Sequence, residues 1–386
     1  MELPTEILLS PPYQPWPKIE EVSAKLDAMR APTCSPRGKF PQQEFALLRE
    51  AGLLNISLPN QPLDFRERRT PHLLQLLKLI GKGNLCVGRI YEGHINALYL
   101  IHRFGSASQQ EHMYKEVYQE QQLFGVWNTQ AQDGIVIRET NDGRYVLSGS
   151  KTFCSGAAHV GRPIVTGRLI RKSGQEDGWQ MCLVPLDQLD LPIDTSFWNP
   201  LGMQDSVSYK IDFTGVELKE QNLLGLPDDY HRQPCFSGGA IRFAAVHLGG
   251  AEAIYDACRK FLKDLKRTED PYQQMRLGEI AVLIESGNLW IQQAGAKADQ
   301  PLTTDQQINY ANMTRMAIEK ISLEVMRLSE RCVGARGLLP PQPFARLHTD
   351  LTTYLRQPAP DQALAKVGEY VSKQNQPAHD HWSTQS

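Results

Sequence analysis

Hydrophobic periodicity changes twice along this chain, and that change limits its fold more than any other feature. From Phe236 onward apolar residues step by three or four, through Ile241, Ala245, Leu248, Ala251, Ile254, Cys258, Phe261 and Leu265. A second stripe runs through Leu277, Ile280, Ile284, Trp290 or Ile291, and Ala294, and a third through Ile308, Ala311, Ile318, Val325, Leu328 and Cys332. This is the helical period, and helices of ~25–30 residues would be ~40–45 Å long. Neighbouring long helices with apolar stripes make a bundle, and the intervening proline and polar loops favour antiparallel packing over a coiled coil. Residues 18–123 also read as helical, with "PQQEFALLREAGLL", "PHLLQLLKLIGKGN" and "RIYEGHINALYLIHRFG" each ending near glycine. Between them, residues 124–225 alternate with period two in "DGRYVLSGSKTF", "GWQMCLVPL" and "SVSYKIDFTGVEL".

The expected class is α+β. It has an N-terminal helical domain (1–123), a central β domain (124–227), a C-terminal long-helix bundle (228–375) and a disordered tail (376–386). The chain has 386 residues, enough for several cores. Its formal net charge of −2 gives no electrostatic case for nucleic acid or anionic lipid. No apolar run approaches ~18 residues, so no membrane span is expected. The acidic, proline-broken start "MELPTEILLSPPYQPWPKIE" lacks the features of a signal peptide. Seven scattered cysteines without a CxxC pair read as reduced thiols, which places the chain in the cytoplasm and gives no metal site.

Helical, then β, then long-helix bundle is the order found in the acyl-CoA dehydrogenase family, and four strings over roughly residues 40–375 carry the resemblance. "DGRYVLSGSKTFCSGAAHV" (142–160) resembles the family's middle-domain signature, and "LGMQDSVSYKIDFTGVELKEQNLLG" (201–225) the stretch closing the β domain. "GGAIRFAAVHLGGAEAIYDAC" (238–258) is similar to its first long bundle helix, and "RCVGARGL" (331–338) to the glycine turn at the FAD diphosphate. The resemblance implies FAD. It places Ser155 and Gly156 at the flavin near N5, and Trp127, Asn128 and Thr129 along the ring, where the family shows Thr-Glu-Pro. It places Gly334, Arg336 and Gly337 at the diphosphate, with Ala335 replacing a glycine, and Arg267 on a loop reaching a neighbouring subunit's cofactor. Read from the residues alone, Ser-Gly also suits a strand-end turn, "GARG" a helix C-cap and Arg267 a solvated loop.

Acyl-CoA dehydrogenation needs a carboxylate on the α-carbon opposite the flavin. The family's glutamate should stand in "TTYLRQPAPDQALAKVGEYV" (352–371), but Gln357-Pro358-Ala359-Pro360 occupies that place. A minority of the family carries the base immediately before the arginine of the first bundle helix; here that arginine is Arg242 and Ile241 precedes it. Asp361 remains as a relocated base, or as the N-cap of a new helix. His94, in an otherwise apolar helix, is either a satisfied core histidine or the flavin-side histidine of the monooxygenases of this superfamily, which need no such base.

The leading expectation is therefore an FAD-dependent oxidoreductase acting on an acyl-thioester or other small substrate. Ser155 would stand at the flavin, Arg242 would face the pocket, and the electron acceptor is unknown. The alternatives are a flavin-dependent monooxygenase using His94 and Asn128, and a non-catalytic flavin-binding assembly protein. A homodimer or homotetramer is expected from the resemblance and from the apolar stripes.

Overall fold

A computed structural model describes residues 16–31 and 38–383. The signal-peptide reading at the N-terminus and Cys34 lie outside those residues, and none of the six described cysteines forms a disulfide. Five helices come first: α1 (Trp16–Met29), α2 (Gln42–Glu50), α3 (Thr70–Gly83), α4 (Leu85–Phe104) and α5 (Ala107–Glu120). Asn84 starts α4 by accepting from the Cys86 and Val87 amides, and Ser106 starts α5 in a capping box with Gln109.

Ten strands follow: β1 (Phe124–Trp127), β2 (Val136–Glu139), β3 (Tyr145–Ser148), β4 (Ser150–Cys154), β5 (Arg162–Ile170), β6 (Glu176–Leu183), β7 (Ile193–Asp194), β8 (Tyr209–Asp212), β9 (Glu217–Leu218) and β10 (Leu223–Leu224). One sheet runs β10-β6-β5-β2-β3-β9, with β1 parallel to β5 beside its first residues. A smaller sheet runs β4-β8-β7. The inward alternation of Ile137, Tyr145 and Leu147 is the period-two pattern of the sequence.

The bundle comprises α6 (Cys235–Gly238), α7 (Ala240–Asp264), α8 (Pro271–Asp299), α9 (Thr304–Gly337), α10 (Phe344–Tyr354) and α11 (Pro360–Ser372). The α7 stripe is buried from Ala244 to Leu262 against α3, α8 and α9. Glycines bring α3 and α7 together. A Cβ on Gly249 would run into the Lys78 carbonyl and stand 2.6 Å from the Lys82 amide nitrogen. Lys78 then crosses the same contact to Glu252 at 2.8 Å and Asn288 at 2.7 Å.

The tail is more ordered than its composition suggests. Trp382 places its ring 5.3 Å from Tyr370 and 5.9 Å from Tyr310, and Lys297 donates to its carbonyl at 2.7 Å. An aromatic anchor holds the described part of this segment on the bundle. No helix among the described residues is long and apolar enough to cross a membrane.

Candidate active site

A cavity of about 360 Å³ lies where the three segments meet. α4 supplies Glu92, Asn96 and Leu100, which share one face because they are spaced by four. β1 supplies Val126, α7 supplies Arg242 and Phe243, and α9 supplies Asn312 and Arg315. The rerouted "QPAP" segment closes one side through Pro358 and Ala359, followed by Gln362, Ala363 and Lys366 of α11.

A polar chain crosses the floor. Arg89 pairs with Glu92 at 2.8 Å, Asn96 donates to the other Glu92 oxygen, and Arg242 Nε donates to Asn96 Oδ1. The Arg242 guanidinium also lies over the Tyr99 ring, 4.9 Å from its centroid. Arg315 donates to the Pro358 carbonyl at 2.7 Å and packs over Phe243, and its burial lowers its pKa from the ordinary value. This contact ties the proline segment to α9. Asn312 is buried against the cavity, 6 % exposed, and its side chain makes no hydrogen bond among the described residues.

The residues singled out from the sequence fall into separate places. Arg242 lines the cavity. Asp361 does not: it is exposed in the first turn of α11, and the N-cap is Ala359, in left-handed backbone at φ +52°. Neither sequence role for Asp361, base or cap, matches this position.

His94 lies in the interior, not in the cavity. It is fully buried, with Nε2 2.8 Å from the Leu54 carbonyl and Nδ1 accepting from the Phe124 amide at 3.1 Å. Both nitrogens are used by backbone, so the ring is held neutral, and burial pushes its pKa down to about 4. His247 on α7 is also buried, edge-on to Tyr354, and burial lowers it to about 3. Both folded values lie below the unfolded value near 6.5, so the unfolded chain binds the extra protons. Their stability contribution is whole above pH 6.5 and is lost as pH falls toward 4 and 3, at about 1.4 kcal/mol per pH unit per histidine. Melting curves from pH 7.5 to 4.5 should therefore drop steeply, and His94→Gln should lower the melting temperature at pH 7.5 yet flatten that drop. A variant with unchanged melting behaviour and lost activity would instead make His94 catalytic.

The ring-lining candidates belong to the β domain. Trp127 points inward from β1 toward Phe213 and donates to the Ser155 carbonyl at 3.2 Å, whereas its neighbour Val126 reaches the cavity. Asn128 Oδ1 accepts from Thr166 at 2.6 Å and from the Trp179 indole at 3.0 Å, and Thr129 is exposed. Beneath them Lys151 is buried and donates to the Asn128 carbonyl and to Gln130, each at 2.8 Å; burial pushes its pKa down to about 7. Ser155 joins a buried hydroxyl chain, 2.8 Å from Ser208, which is 2.8 Å from Ser206. Gly156 follows at φ +75°, where a Cβ would meet Val160 and Ile90.

The diphosphate candidates lie beyond the other end of α7. Arg267 pairs with Asp270, the N-cap of α8, at 3.1 Å. Gly334 breaks α9 at φ +58°, Arg336 is exposed and Gly337 is buried against Val333. α7 has 25 residues, which puts its two ends roughly 37 Å apart.

Residues 232–355 match the family model "Acyl-CoA dehydrogenase, C-terminal domain". A dibenzothiophene monooxygenase of Rhodococcus erythropolis is 24% identical over 357 residues, 84% of this chain and 85% of that one. Among solved structures, FMN-bound TdsC of Paenibacillus sp. A11-2 superposes with a TM-score of 0.81 over 95% of this chain and 98% of that one, at 19% identity. Butyryl-CoA dehydrogenase of Megasphaera elsdenii superposes with a TM-score of 0.79 over 92% and 98%, at 16% identity.

Proposed function

We propose that this chain, a member of the acyl-CoA dehydrogenase superfamily, is a flavin-dependent monooxygenase that oxygenates a small organic substrate in the Arg242 cavity. The state of the one carboxylate lining that cavity carries the reading. Glu92 has one oxygen on Arg89 and the other on Asn96, and the segment 357–360 offers no carboxylate. Dehydrogenation needs a free base at the α-carbon, whereas oxygenation needs none. The similarity to a dibenzothiophene monooxygenase supports the same choice, which moves the leading sequence expectation from dehydrogenase to its alternative.

The chain's groups fit a flavin. Phe153, two residues before Ser155, is 49% exposed at φ +56° with Phe197 and Trp198 edge-on to its ring. An exposed ring held in such backbone is a platform for a planar group. Reduced flavin, when bound, supplies the electrons that activate dioxygen. We assign FMN as the flavin, because the Arg336 turn lies at the far end of α7 from this chain's cavity and the fold superposes on FMN-bound TdsC. Arg242, fixed by Asn96 and Tyr99, orients the substrate, and the Arg315–Pro358 contact holds the proline segment against α9.

Reconstitution tests this. FMN should be retained, and anaerobic butyryl-CoA should leave it oxidised. Bleaching by the thioester would contradict the proposal and favour a second reading, in which Glu92, the only carboxylate facing the cavity among the described residues, leaves Arg89 and serves as base; Glu92→Gln would then abolish the bleaching. Assembly of two or four chains is proposed from the exposed Met275, Val282 and Leu289 on one face of α8, and a light-scattering mass of one 43.5 kDa chain would contradict it.

A further inference from the structure

We propose that the substrate is an organic anion, whose carboxylate, sulfinate or sulfonate group sits among Arg242, Arg315 and Lys366 while its apolar body lies against Leu100, Val126 and Phe243. This rests on reading the cavity as the substrate site. Three elements each send one cation to its wall: Arg242 from α7, Arg315 from α9 and Lys366 from α11. None of the three forms a salt bridge among the described residues. The carboxylates within reach are already engaged. Glu92 is held by Arg89 at 2.8 Å, Glu319 pairs with Arg356 at 3.6 Å, and Glu369 pairs with Lys373 at 2.5 Å. Three cations on the wall of one cavity, none of them in a salt bridge among the described residues, favour an anionic occupant.

The polar neighbours suit a multi-oxygen headgroup. Asn312 stands one turn before Arg315, and Gln362 one turn before Lys366, so each cation has an amide beside it on the same wall. Leu100, Val126, Tyr230, Phe236 and Phe243 supply apolar surface in the rest of the lining, and a volume of about 360 Å³ suits a compact body and not a long acyl chain.

The rival claimant for these cations is the phosphate of the flavin, and the test separates the two. Benzenesulfinate and the neutral thioanisole, similar in size, are titrated calorimetrically into the purified protein and into its Lys366→Gln and Lys366→Arg variants. Lys366 is exposed and forms no salt bridge, so its replacement leaves the fold intact. Benzenesulfinate should bind at least tenfold more tightly than thioanisole. Lys366→Gln should weaken it by about tenfold, the worth of one charge-assisted hydrogen bond, and Lys366→Arg should restore it. FMN affinity should be the same in all three proteins. Equal binding of the neutral ligand, or sulfinate affinity indifferent to Lys366→Gln, would overturn the proposal. A loss of FMN affinity in place of sulfinate affinity would also overturn it and assign the cations to the cofactor. Sulfinate binding that depends on Lys366, in a protein that oxygenates nothing, would uphold the anion site while refuting the monooxygenase.

Discussion

Arg242→Ala should lower kcat/KM on the order of 10²-fold, equivalent to about 2.7 kcal/mol of transition-state stabilisation, without unfolding the protein. The guanidinium is braced from two directions, by the Asn96 side-chain oxygen along its edge and the Tyr99 ring under its face. That bracing fixes its plane, and a fixed plane is what a headgroup with several oxygens reads. Arg242→Lys should recover little, because a lysine cannot both stack on Tyr99 and donate from a rigid fork. Steady-state kinetics with circular dichroism as the folding control decides it. Full activity in Arg242→Ala would remove this residue from the site.

Gly249→Ala should cost about 3 kcal/mol or more, although it adds one methyl group. α3 and α7 pack backbone to backbone at this position, and the new carbon would collide with the Lys78 carbonyl and crowd the Lys82 amide. Relief requires the helices to separate, which also pulls Lys78 from Glu252 and Asn288. The neighbouring helix α4 carries the cavity floor, so any folded remnant should lose affinity for benzenesulfinate as well. Urea denaturation measures the loss, and a midpoint equal to the parent's would show that the α3–α7 contact is looser than described.

The long stripes and the period-two segment were readable because burial on one face imposes them whatever the chain does elsewhere. The cavity was harder to read. Glu92, Asn96 and Leu100 recur every four residues on α4, yet His94 drew notice as the polar residue in an apolar helix. Its two backbone partners, Leu54 and Phe124, come from distant parts of the chain and leave no local trace. Trp127 and Val126 show how much one residue of register decides, since adjacent strand positions face opposite ways. Asp361 failed for a related reason on a helix. The cavity face of α11 carries Gln362 and Lys366, and Asp361 stands a residue off it. What that segment brings to the cavity is a cation, Lys366, one helical turn beyond Gln362. Composition alone predicts a disordered chain end, but Trp382 finds Tyr310 and Tyr370 only in the fold.

Oxygenation is tested most directly by isotope transfer. The FMN-loaded protein is supplied with reduced flavin, benzenesulfinate and ¹⁸O₂, and the product is analysed by mass spectrometry. Incorporation of one labelled oxygen into the sulfonate product is the expected result. Unlabelled benzenesulfinate recovered intact, together with an enoyl thioester formed when an acyl-CoA replaces it, would contradict the monooxygenase and restore the dehydrogenase.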